Sequence, residues 1–139
     1  MVAATLRCLA LAGLALAAQA VSAAAERSTP GAAGDLLQGQ PPAPGRYDAV
    51  MCVAVGAQAA DCGAVDAEVL DGGTVDVRIA DILYRLERWG EQLGITMMHG
   101  TMQVDGFFAP YRWRGRTLTF TDTEKSTRYE LTLGARRLG

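Results

Sequence analysis

From Arg46 onward the chain is a succession of short apolar segments, each closed by a turn signal. Residues 46–55 favour a strand and 66–70 a second. Asp71-Gly72-Gly73 then supplies a hairpin connection, because glycine takes the positive φ that tight turns demand. Segments 74–89 and 93–104 follow, the latter running to Asp105-Gly106, another turn signal. Residues 107–114 meet Gly115, 116–121 meet the polar stretch 122–125, and 127–133 end the pattern. The last two segments alternate: Leu118 and Phe120 oppose Thr117, Thr119 and Thr121, while Tyr129, Leu131 and Leu133 oppose Arg128, Glu130 and Thr132. A period of two buries one face of a strand and leaves the other wet. About seven strands at close spacing, with no long helix between them, predict a mainly β fold: a single small antiparallel meander, closed as a barrel or folded as a sandwich.

Residues 75–89 fit two periods. Val75, Val77 and Ile79 alternate, and Ile82, Tyr84 and Leu86 resume after a one-residue slip at Ala80-Asp81, which a β-bulge would supply. Ile79, Ile82, Leu83, Leu86 and Trp89 also stand at helical spacing, with Asp81 and Arg85 one turn apart and Gly90 as a C-cap. The neighbouring segments are β and need a partner, so a bulged strand is expected; one short helix around 80–89 is the alternative.

The first residues have a different character. Arg7 precedes an apolar run over 8–18, which relaxes into small residues carrying Ala18-Gln19-Ala20 and Ala23-Ala24-Ala25. This is the layout of a secretory signal, expected over 1–25 and cleaved after Ala25. The run is shorter than the roughly 20 residues of a membrane span, so none is expected once the signal is removed. Cys8 opens the run, whereas a lipidated cysteine would follow it. Residues 26–45, rich in Pro, Gly and Ala, are expected to be a flexible leader, followed by a single β domain over 46–135 and a C-terminal tail over 136–139. A periplasmic or secreted location follows; a single Lys against 12 Arg, with much Ala and Gly, marks GC-rich coding, which together with the signal suggests a Gram-negative periplasm.

Charge narrows the partners. The chain holds 13 basic and 15 acidic residues, and Arg7 leaves with the signal. A net-acidic domain is no bulk binder of nucleic acid or anionic membrane. The balance is uneven: residues 46–105 carry 4 basic and 10 acidic groups, residues 106–139 carry 7 and 3. Such polarity could orient a partner.

Loss of Cys8 leaves Cys52 and Cys62, an even pair in an oxidising space and so an expected disulfide. Closing a loop of about ten residues contributes roughly 2–3 kcal/mol in the chain-entropy model.

Two clusters carry candidate chemistry. Met97, Met98, His99 and Met102 bring together the thioethers and imidazole that Cu(I) selects. Strand alternation, however, sets Met97 and His99 on one face and Met98 and Met102 on the other, so methionine core packing is the expected role and a metal site the alternative. His99 is the sole histidine. No serine in a G-x-S-x-G turn and no free cysteine accompanies it, so no catalytic residue is assigned, no enzyme is expected and no cofactor is implied. The second cluster is Tyr111, Arg112, Trp113, Arg114 and Arg116. Guanidinium forks grip carboxylate or phosphate and aromatics stack on sugars, which would make a ligand or partner surface; a cationic outer face that deters strand pairing is the plainer account.

In size, cysteine pair and strand count the chain resembles small exported β-barrel proteins such as short lipocalin-like domains and periplasmic lysozyme inhibitors, whose signature residues it does not carry. The likeness implies a fold and only weakly a function. The expectation is a non-enzymatic binding or inhibitor module of the cell envelope, meeting an envelope protein or a small ligand through its loops or barrel mouth. The alternatives are a periplasmic copper-binding protein built on the Met and His cluster and a hydrolase of envelope carbohydrate.

Overall fold

A computed structural model describes residues 38–138. The expected signal over 1–25, with Cys8, and the expected leader as far as residue 37 lie outside the described residues. Eight strands follow one another: β1 (Gly45–Val55), β2 (Asp61–Val69), β3 (Val75–Ile79), β4 (Ile82–Trp89), β5 (Gln92–His99), β6 (Met102–Arg114), β7 (Thr117–Asp122) and β8 (Thr127–Arg136). Each pairs antiparallel with the next, and β8 returns to β1, so the sheet is a closed barrel. Closure removes the exposed edges that an open meander would present.

The eighth strand comes from residues 75–89, which form neither one bulged strand nor a helix. Ile79 pairs with Ile82 across a two-residue turn at Ala80-Asp81, and Ala80 takes φ 54° to make it. A two-residue hairpin and a one-residue bulge slip the alternation by the same step, so the pattern alone could not separate them. A second difference lies at Asp105-Gly106, which is no turn but part of β6. The chain reverses at Gly100-Thr101 instead, with Gly100 at φ 58°. Met97 pairs with Asp105 and Met98 with Gln103, leaving Val104 as the extra residue of a bulge. The Asp105 carboxylate accepts the Gly106 N–H at 2.8 Å, so turn chemistry here serves the bulge.

Inward side chains fill the barrel. Val77, Leu86, Ala109, Leu118 and Leu131 are fully buried, and Trp113 is nearly so. Toward one end Phe120 and Tyr129 stack at 4.8 Å, with Phe107 6.1 Å from Tyr129. An eight-stranded barrel has an interior about wide enough for its own side chains, and these occupy it. The other end is crossed by residues 39–44. Tyr47 Oη donates to the Ala43 carbonyl at 2.5 Å, and Gly39, at φ 73°, lies so close to the Trp113 carbonyl that any side chain there would collide with it. This part of the Pro-rich segment therefore packs on the barrel.

The Cys52–Cys62 disulfide is present. The two residues face each other across β1 and β2, on the outside of the wall.

Candidate binding surface

Closure fixes which side chains share the outer wall, because register lines them up in rows across strands. One row runs Trp89, Gln92, Pro110 over β4, β5 and β6; the next runs Glu87, Gly94, Phe108. Beyond Pro110 the rows are Arg112, Thr119, Glu130 and Arg114, Thr117, Thr132 over β6, β7 and β8. Thr121 and Arg128 are opposed beside them.

These rows build two adjoining features. The first is a notch between two aromatic rings. Trp89 is 63% and Phe108 62% exposed, and both lean over Gly94: a methyl group there would come within 2.9 Å of Trp89 and 3.2 Å of Phe108. Glu87, Thr96 and Gln103 supply polar atoms around it. The second is a trough along β7. Threonine is short and arginine is long, so Thr117, Thr119 and Thr121 form a hydroxyl floor. Arg112 and Arg114 stand on one bank, Arg128 and Glu130 on the other. Among the described residues Arg112, Arg114 and Arg128 have no ion-pair partner.

Pro110 separates the two features for a structural reason. β6 pairs with β5 as far as Pro110 and with β7 only over residues 111–114, so it turns a corner there. Proline has no N–H to leave unpaired at such a corner. Above it, Asp105 is bound by Lys125 at 2.7 Å, which ties the β7–β8 turn to β6. That contact, with the Gly106 N–H, holds the Asp105 carboxyl below the usual carboxylate range and raises the Lys125 ammonium. Burial pushes the Tyr129 phenol up.

The expected arginine–aromatic cluster is divided by the sheet. Arg112 and Arg114 lie on the wall, whereas Tyr111 and Trp113 point inward with Phe120 and Leu118 as their cross-strand partners. Arg116 occupies the β6–β7 turn, where its guanidinium lies 5.6 Å from the centre of the Tyr47 ring and donates to the Gly134 carbonyl at 2.7 Å. The exposed aromatics are instead Trp89 and Phe108; neither they, nor the threonine floor, nor Arg128 belongs to the expected cluster. One signal was available: Phe107-Phe108 are consecutive, and neighbouring strand residues cannot both face the core.

The methionine cluster is also rearranged. Because the hairpin turns at 100–101, Met102 pairs with His99 and so shares its face, together with Met97; Met98 lies on the other face opposite Gln103. The expected grouping of Met98 with Met102 is therefore replaced by Met97, His99 and Met102. His99 Nε2 lies 2.8 Å from an Asp81 carboxylate oxygen, and both side chains are exposed.

Comparison with protein-family models, with curated proteins and with solved structures finds none that matches this chain.

Proposed function

We propose that this protein is an exported, non-enzymatic binding module of the cell envelope that meets its partner with the outer wall of β4–β8. The observation that carries this reading is the Trp89–Phe108 notch. Large aromatic rings held in water beside polar atoms mark recognition surfaces, since their burial on binding is a main source of affinity. A barrel filled by its own side chains favours the wall over the mouth. The disulfide is compatible with an oxidising compartment outside the cytoplasm, and the predicted signal agrees with it.

Co-sedimentation with isolated envelope material tests the reading. The mature protein is expected to sediment with the envelope and a W89S/F108S double variant to stay in solution with unchanged circular dichroism. Equal sedimentation of the two proteins would refute it.

A copper-binding role is a second reading, favoured by the placement of Met97, His99 and Met102 on one face. Competition for Cu(I) against a chelator is expected to weaken in M97L and M102L. No binding beyond that of a micromolar chelator would end it.

A further inference from the structure

We infer that the trough over β7 is a binding site for an extended anionic oligosaccharide. The inference rests on the reading of this wall as the binding surface and adds the chemistry of what binds there. Three guanidiniums, Arg112, Arg114 and Arg128, flank the trough without partners. Each retains a planar fork of donors suited to carboxylate, sulfate or phosphate oxygens. Elsewhere on the barrel several arginines are engaged: Arg85 grips Asp76 and Arg137 grips Asp48 and Asp66. Among the described residues Arg78 is also without an ion-pair partner, but it stands among the carboxylates of Asp66, Glu68 and Asp76, whereas the three around the trough face one carboxylate, Glu130, which makes the field there positive on a chain that is acidic as a whole.

The floor selects among anions. Thr117, Thr119 and Thr121 present hydroxyls in a line, and Glu130 adds an acceptor on the bank. A sugar ring offers hydroxyls that both donate and accept, and so matches hydroxyl and carboxylate neighbours together. From Thr117 to Thr121 the strand rises about 13 Å, the span of a short oligosaccharide. An acidic peptide fits less well. β7 is paired on both sides, so it has no free edge on which an extended peptide could add as a strand. Nucleic acid fits less well again: the two aromatic residues that line the trough, Tyr111 and Phe120, turn their rings toward the core, so that among the described residues no exposed ring stands on its floor to stack a base. The rings of Trp89 and Phe108 lie just across Pro110, positioned to take the apolar face of a further sugar.

Titration of the full mature protein followed by backbone NMR would test this with four probes: trigalacturonate, a heparin-derived tetrasaccharide, neutral maltotetraose and tetraglutamate. One or both acidic saccharides are expected to shift the amides of β6–β8, with affinity falling as salt is raised. R112Q and R128Q should each weaken binding about tenfold, the loss of one charged hydrogen-bonding group, with native spectra. Preference between the two acidic probes separates carboxylate from sulfate recognition. Absence of binding by either, equal binding of maltotetraose or tetraglutamate, or indifference to both substitutions would overturn the assignment. If the acidic probes fail while W89S/F108S still abolishes envelope sedimentation, the binding wall stands and the anion site falls. If the probes bind while that double variant sediments normally, the reverse holds.

Discussion

Two walls of one barrel treat most of their charge differently. On the β1–β4 side, carboxylates and guanidiniums meet: Arg85 makes two hydrogen bonds to Asp76 at 2.8 Å, Arg137 reaches both Asp48 and Asp66 at 2.6 Å, and Arg46 lies 3.9 Å from Glu68. The Asp76 bond raises the Arg85 guanidinium above its ordinary value, and the Asp48 and Asp66 bonds do the same for Arg137. On the β6–β8 side Arg112, Arg114 and Arg128 stand among threonines with no such partner. A charge pair on a surface is worth little, so neither arrangement is explained by stability. The difference is in availability: a paired guanidinium must first break a contact to bind something else, and an unpaired one need not.

Substitutions should expose what the walls share before what separates them. They share a core. Leu118→Ala, under the trough, is expected to destabilise the protein by about 2–5 kcal/mol, and Val77→Ala, under the paired wall, by somewhat less, because each opens a cavity in a filled interior. Urea unfolding measures both; a negligible cost at Leu118 would mean that the trough does not rest on packed side chains. The next largest effect belongs to the disulfide on the paired wall. C52A/C62A should lose about 2–3 kcal/mol, detected by the same titration. At the surface the walls part. R85Q should cost about 0.5 kcal/mol, and less at high salt, whereas R112Q should cost nothing measurable. A stability loss at Arg112 equal to that at Arg85 would erase the distinction.

The smallest effect is one of pH. The Asp105 carboxyl is held below its ordinary range by Lys125, so its contribution is present above the unfolded value and lost as pH falls through the lower folded one. The Lys125 ammonium is raised, so its contribution is present below its unfolded value and lost as pH rises through the higher folded one. Thermal melts of D105N should therefore lie slightly below the wild type at neutrality and converge with it as pH falls, giving a flatter dependence on pH at the acid end. An unchanged acid slope would show that the pair does not tie the β7–β8 turn to β6.

Much of the fold is legible in the chain. The alternation of 117–121 and 128–133 gives strands with one buried face, and glycine at 72–73 and 115 stands where turns occur. The misread places share a cause. At Ala80-Asp81 a hairpin and a bulge impose the same slip, and at Asp105-Gly106 turn-forming residues stabilise a bulge through a side-chain acceptor. Local chemistry was recognised in both; its use was decided by which strands came to lie together. The candidate surface was half legible. Arg112 and Arg114 were identified, but their supposed aromatic companions point into the core, since adjacent residues on a strand face opposite ways.

Composition and order alone therefore determine a mainly β domain, its expected signal, its cysteine pair and the two faces of most strands, because these depend on residues near one another in the chain. Barrel closure decides the rest. It makes eight strands of seven expected ones, and register carries Trp89 and Phe108 to the two sides of Gly94 and Arg128 to the bank facing Arg112. Phe108 and Gly94, like Arg128 and Arg112, come from different strands, and only the hydrogen-bonded order of the strands brings them onto one patch of the wall.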